Sequence, residues 1–280
     1  MIPATFDYEI AESTEQAVAL LGEREGAKLL AGGHSLLPAM KLRISRPSLL
    51  VDVARIADLA YVRDADEQIA IGALTRHKHV HDAELLREHC PVVSHAAGLI
   101  GDPQVRHRGT IGGTLAYGDP ASDLPAVILA LDGELVVRGA QGERTIAASD
   151  FFRGVFETAV GPEEMLVEVR VPKLGVMAGW SYLKMSRRAQ DWATVAVAAV
   201  VERSNGSIGK AAIGLTNMGA TPLRAAAAEE AIAKGAGIEE AAAAIPEGTD
   251  PPSDLAASAE FRRHLARVLG RRALEQAVAR

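Results

Sequence analysis

Apolar and polar positions alternate along this chain in short segments, and the alternation predicts a mixture of strands and helices. A helix is predicted over residues 13–21, because Ser13 and Gln16 have the spacing of a capping box and apolar residues follow on one helical face. The other elements predicted in this region are strands at Lys28–Ala31, Leu49–Val53 and Gln68–Gly72, a short helix at Ala39–Leu42, and a helical stretch from Asp82 to Leu99 interrupted at Pro91.

The rest of the chain contains the clearest strand patterns. The sequence Val-Glu-Val-Arg-Val at Val167–Val171 alternates strictly, which is typical of a half-exposed strand. Asn205 and Gly206 separate the apolar runs Val195–Arg203 and Ile208–Leu215, and Asn-Gly is a strong hairpin signal. The remaining predicted elements are a buried helix at Pro125–Leu131, strands at Glu134–Arg138, Arg144–Ala147, Met165–Val171 and Trp180–Met185, Ala-rich helices from Leu223, a break at Gly248–Pro252, and a terminal helix at Glu260–Ala279.

Composition places this chain among soluble globular proteins. It has 280 residues, of which 48% are hydrophobic, so it can bury a sizeable core in two domains or subdomains. A net charge of −6 lacks the excess of positive charge that is typical of nucleic-acid-binding proteins. The longest largely apolar stretch, Ala193–Val201, is too short to cross a bilayer, and the N-terminus does not have the pattern of a signal peptide. The expected compartment is the cytoplasm, and no transmembrane segment is expected.

Cysteine and histidine usage limits the metal chemistry. The single cysteine, Cys90, excludes an all-thiolate iron–sulfur cluster, which needs four, and is interpreted as a small buried hydrophobe. His77, His79 and His81 lie at alternate positions, but on a helix only the first and third share a face. A solvated helix start is favoured there, with a metal site as the alternative.

Two glycine-rich segments carry the candidate chemistry. The first is Ala31-Gly32-Gly33-His34-Ser35, and the second is Thr110-Ile111-Gly112-Gly113-Thr114. Glycine allows backbone N–H groups to approach a ligand closely, and successive N–H groups can form an anion site. The pair therefore predicts two loops that grip the two phosphates of one dinucleotide. A tight turn at each is the alternative, because neither segment matches a Rossmann or P-loop fingerprint.

Several further motifs occur in a characteristic order with these segments. They are Ala31–Lys41, Gly101–Arg106, Gly109–Gly113, Asp119–Pro125, Lys184–Arg187 with Asp191–Ala193, and Gly214–Asn217. With this ordered set the chain resembles, nearly from end to end, the FAD-binding medium subunit of molybdenum hydroxylases. This is the xanthine dehydrogenase family, and the motifs fit its aerobic carbon monoxide dehydrogenase branch best.

The resemblance implies a fold and a domain organisation. The fold class is α+β, with a two-subdomain FAD-binding fold of the PCMH type and a C-terminal subdomain that has a small antiparallel sheet and helices. The implied FAD-binding domain is 1–175, with subdomains of about 1–55 and 56–175. The C-terminal subdomain is 176–280, in agreement with the change of sequence character near residues 173–178.

The resemblance also implies which residues hold one noncovalent FAD. These are Ala31, Gly32, Gly33, His34, Ser35, Leu36, Ile100, Thr110, Ile111, Gly112, Gly113, Thr114, Asp123, Leu166, Lys184 and Trp192. Two of them depart from the family pattern: Thr114 stands where Asn is frequent, and Trp192 stands where the carbon monoxide dehydrogenase branch commonly has Tyr. No catalytic acid or base and no metal ligand is expected in this chain.

The implied function is electron transfer within a multisubunit oxidoreductase. FAD would receive electrons from [2Fe–2S] centres in a small iron–sulfur subunit and pass them to an external acceptor. Substrate would be oxidised at a molybdenum cofactor in a large subunit, and two heterotrimers would form a dimer, in the cytoplasm or at the inner face of the membrane. Carbon monoxide is the first candidate substrate, with a purine, an aldehyde or an aromatic ring as alternatives. A standalone flavin reductase or oxidase, or a binding subunit that has lost FAD, remain the rival hypotheses.

Overall fold

The computed structural model of the protein describes residues 1–204 and 207–280. The strands are β1 (Asp7–Ile10), β2 (Lys28–Leu30), β3 (Leu49–Asp52), β4 (Val62–Ala65), β5 (Gln68–Gly72), β6 (Glu134–Gly139), β7 (Gly142–Ala147), β8 (Phe152–Gly154), β9 (Glu157–Thr158), β10 (Met165–Pro172), β11 (Ala178–Met185), β12 (Val195–Ser204), β13 (Ser207–Thr216) and β14 (Leu223–Arg224). The helices are α1 (Thr14–Glu23), α2 (Leu36–Lys41), α3 (His77–Asp82), α4 (Glu84–His89), α5 (Pro91–Gly98), α6 (Pro103–Arg106), α7 (Ile111–Tyr117), α8 (Asp123–Ala130), α9 (Ala148–Phe151), α10 (Ala226–Ala233), α11 (Ile238–Ala244) and α12 (Ala259–Ala279).

The first unit is a small parallel sheet in the order β1-β3-β2 with α1 packed on it. The predicted helix and the two predicted strands are confirmed, whereas β1 was not predicted because its alternating sequence, Asp-Tyr-Glu-Ile, is only four residues long. Ser13 caps α1 through its Oγ, which accepts from the Gln16 N–H at 3.2 Å. The Gln16 amide oxygen accepts from the Glu12 N–H at 2.9 Å, one residue earlier than a capping box requires.

The second unit is an antiparallel sheet in the order β4-β5-β10-β6-β7, covered by α5, α7 and α8. The prediction that Val167–Val171 forms a half-exposed strand is wrong in one respect, because β10 is buried on both faces. Val169 and Val171 pack into the core of this unit, while Val167 packs into the core of the first unit beneath α1. The buried carboxylate of Glu168 accepts from the Tyr61 hydroxyl at 2.5 Å and pairs with Arg170 at 2.6 Å, which explains how an alternating strand tolerates burial.

The third unit is an antiparallel sheet in the order β11-β12-β13-β14, with α12 and α10 packed on its strands. The predicted hairpin is confirmed by the antiparallel register of β12 and β13. The Asn205-Gly206 turn itself lies outside the described residues. Across those that are described, no helix is both long and apolar enough to cross a membrane.

Candidate functional site

The first glycine-rich segment connects β2 to α2. Gly33 has a φ of +79°, in the left-handed region, and a Cβ built there would lie 2.9 Å from Leu37 Cδ1. Within the described part of the chain, no acceptor receives a hydrogen bond from the N–H groups of residues 32–36. A run of backbone donors without acceptors, at a position that requires glycine, fits an anionic ligand.

The second glycine-rich segment is not a loop, and this corrects the sequence prediction. Thr110 is the N-cap of α7, and its Oγ1 accepts from the Gly113 N–H at 3.1 Å. The N–H of Ile111 donates to the Thr75 carbonyl at 3.0 Å, and that of Gly112 donates to the Ala73 carbonyl at 2.8 Å. The backbone donors of residues 111–113 are therefore satisfied within the protein instead of facing a ligand.

The structure brings the two segments into contact. A Cβ on Gly32 would lie 2.3 Å from the Arg108 carbonyl oxygen, so the backbones approach as closely as glycine allows. A Cβ on Gly113 would lie 3.9 Å from the Ala31 Cβ. Gly113 is exposed and Thr114 is half-buried, so the first turn of α7 and the first segment together form one surface.

Three arginines close in sequence or space to these segments, Arg76, Arg106 and Arg108, were given no role in the sequence analysis. The Arg76 guanidinium donates to the Arg108 carbonyl oxygen, and Arg106 Nη1 donates to the Ile100 carbonyl at 3.0 Å. No described carboxylate lies within 4.0 Å of the guanidinium nitrogens of these three arginines. The available signal was the Arg-His-Arg sequence, in which Arg106 ends the Gly101–Arg106 motif and Arg108 directly precedes Gly109–Gly113.

His77 corrects the prediction of a solvated helix start. It is 2% exposed, its N–H donates to the Gly109 carbonyl at 3.0 Å, and its Nδ1 has no hydrogen-bond partner among the described residues. Burial lowers the pKa of His77 to about 3, and the nearby charges of His34, Arg76 and Arg106 act in the same direction. The described residues contain no group of three or more His, Cys, Asp or Glu that could hold a metal ion.

Asp123 and Lys184 form a buried ion pair between the second and third units. Asp123 Oδ2 accepts from Lys184 Nζ at 2.9 Å, and Oδ1 accepts from the Tyr182 hydroxyl at 2.6 Å. Their side chains are 4% and 6% exposed, and burial raises the pKa of Asp123 while the Lys184 charge opposes that shift. Lys184 Nζ also donates to the Leu99 carbonyl at 3.3 Å. Both carboxylate oxygens thus have partners within the protein, and the pair holds β11 beside the Leu99–Ile100 turn.

The remaining predicted site residues occupy different environments. Ile100 is partly buried beside the core of the second unit, whereas Leu166 lies within that core. Trp192 is 51% exposed on the segment between β11 and β12. That segment ends at Ala193 and Thr194, whose carbonyls accept from the Asn217 amide at 2.8 Å and from the buried Arg262 guanidinium, respectively. These anchors fix the backbone directly after Trp192, whose indole is exposed.

Comparison with known proteins gives the family. Residues 4–174 match the FAD binding domain in molybdopterin dehydrogenase, and residues 180–277 match the CO dehydrogenase flavoprotein C-terminal domain. The whole chain is 39% identical to the carbon monoxide dehydrogenase medium chain of Hydrogenophaga pseudoflava, covering 99% of that protein. It is also 39% identical to the 6-hydroxypseudooxynicotine dehydrogenase complex subunit alpha of Paenarthrobacter nicotinovorans, covering 97% of it.

The solved structures agree with the sequence comparison. Reconstituted CO dehydrogenase from Oligotropha carboxidovorans contains a chain with a TM-score of 0.97 and 40% identity, with both chains covered in full. The predicted α+β fold class and the resemblance stated above are confirmed. The chain therefore belongs to the family of FAD-binding domains in molybdopterin dehydrogenases, in the form that carries the CO dehydrogenase flavoprotein C-terminal domain.

Proposed function

We propose that this chain is the FAD-carrying subunit of a molybdenum hydroxylase and passes electrons from a partner's [2Fe–2S] centres to an external acceptor. The observation that carries the proposal is the meeting of the two glycine-rich segments, where residues 32–36 offer backbone donors and the Arg76 guanidinium binds the Arg108 carbonyl oxygen against which Gly32 packs. FAD is the cofactor of the matched family. The diphosphate of FAD has the negative charge that such a surface fits.

Different residues of this chain would hold different parts of FAD. Residues 31–36 and the exposed Gly113 and Thr114 would hold the diphosphate, and Ile100, Lys184 and Trp192 would lie beside the flavin end. Thr110, Ile111 and Gly112 would act through the packing of α7, since their polar groups are bonded within the protein. Asp123 and Leu166 would support the site from buried positions.

When bound, FAD supplies the redox chemistry, and the protein supplies binding, orientation and electrostatics. The indole of Trp192 offers an aromatic face that can shield a planar ring from water. Lys184 Nζ donates to both the Leu99 carbonyl and the Asp123 carboxylate, which fixes its position at that turn. We expect the binding to be noncovalent; a cysteinyl link is disfavoured because Cys90, the one thiol, is fully buried, and burial raises its pKa to about 12.

The partners we propose are a small iron–sulfur subunit and a large molybdenum subunit, assembled as a dimer of heterotrimers. One cysteine cannot ligate an iron–sulfur cluster, so the upstream carriers must be in other chains. Permanent interfaces of this kind bury about 2,000 Å² or more. The identity to a carbon monoxide dehydrogenase chain and to a 6-hydroxypseudooxynicotine dehydrogenase chain is the same, 39%, so carbon monoxide remains one candidate substrate among several.

We also propose a boundary between an FAD-binding domain, 1–175, and a C-terminal subdomain, 176–280. The two family matches support this boundary, since the match to the FAD binding domain ends at residue 174 and the match to the C-terminal domain begins at residue 180. Within the first domain, the parallel sheet β1-β3-β2 supports a subdivision near residue 55. The proposed compartment is the cytoplasm, with the assembled complex able to associate with the inner face of the membrane.

Reconstitution tests this function. We expect the purified chain to be yellow, to release one FAD on denaturation, and to pass electrons from a reduced donor to a dye without oxidising any substrate. Mixing it with the iron–sulfur and molybdenum subunits should restore substrate-dependent flavin reduction. Substrate turnover by this chain alone, free of iron and molybdenum, would support a standalone flavoenzyme. A colourless protein that binds no added FAD would support a subunit that has lost its cofactor.

A matched pair of variants tests the location of the site. Gly33→Val and Gly142→Val both place a branched side chain at a positive φ, +79° and +112°, so both impose backbone strain. Only Gly33 belongs to the first glycine-rich segment; Gly142 begins β7, and a Cβ there would meet nothing within 4 Å. We expect Gly33→Val to lose FAD and Gly142→Val to retain it. Equal flavin content in the two variants would contradict this location.

A further inference from the structure

The turn that ends α2 places apolar and basic side chains side by side on the surface. Leu42 and Ile44 are 57% and 79% exposed, and Lys41, Arg43 and Arg46 are exposed next to them. No described carboxylate lies within 4.0 Å of the side-chain nitrogens of these three basic residues. Residues 41–46 are called the basic turn below.

The backbone of the basic turn adopts a conformation that its sequence does not favour. It forms a Schellman motif, in which the Ile44 N–H donates to the Ala39 carbonyl and the Arg43 N–H donates to the Met40 carbonyl, both at 2.9 Å. Glycine is usual at the left-handed position of this motif, but Arg43 occupies it with a φ of +61°. The apolar residue that follows usually packs back on the helix, whereas Ile44 is exposed. Backbone strain of this kind is typical of binding surfaces, where a side chain is retained at a cost in stability.

The charge of this region is opposite to that of the rest of the chain. Residues 26–51 contain four Lys or Arg side chains and no Asp or Glu. Since the whole chain has a net charge of −6, this stretch of +4 leaves −10 on the remainder. A basic surface on an acidic protein attracts an acidic partner, orients its approach and disfavours a second copy of the same chain.

Two kinds of anionic surface match a basic turn with exposed apolar side chains: an acidic protein and an anionic membrane. Stable attachment to a membrane needs a larger apolar area or a second anchor, and the charge of −10 elsewhere would be repelled by anionic lipid. An iron–sulfur subunit fits better, because a [2Fe–2S] cluster bound by four thiolates carries net negative charge. The six residues of α2, about 9 Å in length, separate the basic turn from residues 31–35, so a partner bound there would lie beside the proposed cofactor site.

We propose that the basic turn is a docking site for the iron–sulfur subunit, with Leu42 and Ile44 packed against that subunit and Arg43 and Arg46 paired with its carboxylates. The proposal rests on the proposed function, in which electrons arrive from such a subunit. Arginine is enriched among the interface residues that contribute most to binding. A hydrogen-bonded turn presents these side chains in a fixed arrangement, which reduces the conformational entropy lost on association.

The affinity of the flavin-loaded chain for the purified iron–sulfur subunit tests the docking site. Arg43→Gly removes the basic side chain and places glycine where the backbone favours it, so binding should weaken about tenfold or more while the melting temperature does not fall. Asp66→Gly relieves the same strain, at a φ of +58° in the exposed turn between β4 and β5, and should bind as the wild type does. Arg46→Gln should slow association and reduce its salt dependence, whereas Arg153→Gln, at an exposed arginine on β8, should do neither.

A crosslink in the reconstituted complex identifies what covers the basic turn. Ser45 lies between Ile44 and Arg46 and is partly exposed, and Cys90 is buried, so Ser45→Cys provides the one accessible thiol of the chain. Benzophenone maleimide attached to this thiol before reconstitution should, on illumination, join the chain to the iron–sulfur subunit. A crosslink to the molybdenum subunit or to a second copy of this chain would overturn the proposal.

The remaining outcomes separate the docking site from the function. If the wild type neither binds the iron–sulfur subunit nor accepts electrons from it, the proposed function fails. If the wild type does both, and Arg43→Gly and Ile44→Ser bind as tightly as it does, the docking site is wrong and the function stands. Binding to vesicles of anionic phospholipid that is lost in Arg43→Gly, with affinity for the iron–sulfur subunit retained, would assign the basic turn to a membrane and also overturn the proposal.

Discussion

Gly112 offers a test of what the second glycine-rich segment does. It is buried in the first turn of α7, and a Cβ there would lie 2.5 Å from the Ala73 Cβ, 2.7 Å from its carbonyl oxygen and 2.9 Å from its Cα. Two of these atoms belong to the backbone, so the clash cannot be relieved by a side-chain rotation. Gly112→Ala must push α7 away from the end of β5 and weaken the hydrogen bond from residue 112 to the Ala73 carbonyl.

The expected loss follows from two opposing effects. Overpacking a close contact costs about 1–3 kcal/mol, and alanine in place of glycine in a helix gains up to about 1 kcal/mol. The net destabilisation should be about 1–2 kcal/mol, which lowers the melting temperature of a protein of this size by about 2–8 °C. Thermal unfolding of the apoprotein, followed by circular dichroism, measures this shift without any contribution from FAD.

Gly113→Ala is the matched control, because it is the next position of the same helix but is exposed. Its Cβ would lie 2.8 Å from Thr110 Oγ1, so the substitution risks the N-cap, worth about 1 kcal/mol, and gains about as much in helix propensity. Its melting temperature should stay near that of the wild type, and its FAD affinity should fall. Two results would contradict this packing role of Gly112: a melting temperature of Gly112→Ala equal to that of the wild type, or a destabilisation of Gly113→Ala as large as that of Gly112→Ala.

Three further predictions concern other residues of the site. Asp123→Asn leaves the buried charge of Lys184 unpaired and should cost about 3–5 kcal/mol in urea unfolding, and Asp123→Asn with Lys184→Met should be less destabilised than Asp123→Asn alone. Because the pKa of His77 falls to about 3 on folding, the unfolded chain binds one more proton than the folded chain between about pH 6.5 and pH 3. The free energy of unfolding of the apoprotein should therefore fall by about 2 kcal/mol from pH 7 to pH 5 through this group. The fall should be measurably smaller in His77→Gln. Trp192→Leu should fold normally and bind FAD with brighter flavin fluorescence and a shifted redox potential, and unchanged spectra and potential would place Trp192 outside the flavin environment.

The local elements were predictable because their signals are local. The capping residues of α1, the interruption at Pro91 and the paired strands around Asn205 each follow from a few neighbouring positions, and the structure confirms the helices and strands that they predict. Strands β1 and β14 were missed because they are only four and two residues long, too short for an apolar period to stand out. Burial was harder to predict: the alternation at Val167–Val171 indicates one exposed face, but α1 of another unit covers that face.

In the candidate site, too, local sequence features were predictable, whereas tertiary contacts were not. Glycine pairs can be found in a sequence, but whether their N–H groups are unpaired depends on tertiary contacts. The donors of Gly112 and Ile111 are bonded to carbonyls of residues 73 and 75, whereas those of residues 32–36 have no described acceptor. His77 looks like a polar helix start because its neighbours are polar or charged, but it is buried, and Gly109 packs directly against its ring. No sequence spacing relates residue 76 to residue 32.

The proposed site draws on all three units, and this would link ligand binding to the association of the units. The first unit would contribute residues 31–36, the second Arg76 and α7, and the third Lys184 and Trp192 through β11 and the segment that follows it. A ligand that binds only the assembled protein stabilises it by RT ln(1 + [L]/Kd), about 2.7 kcal/mol at a hundredfold excess over Kd. The buried contacts of Asp123 with Lys184 and Tyr182 join the third unit to the second, and the Arg262 and Asn217 anchors fix the start of β12 within the third unit, before any ligand arrives. The proposed cofactor would therefore meet a site that is already formed, which reduces the conformational entropy lost on binding.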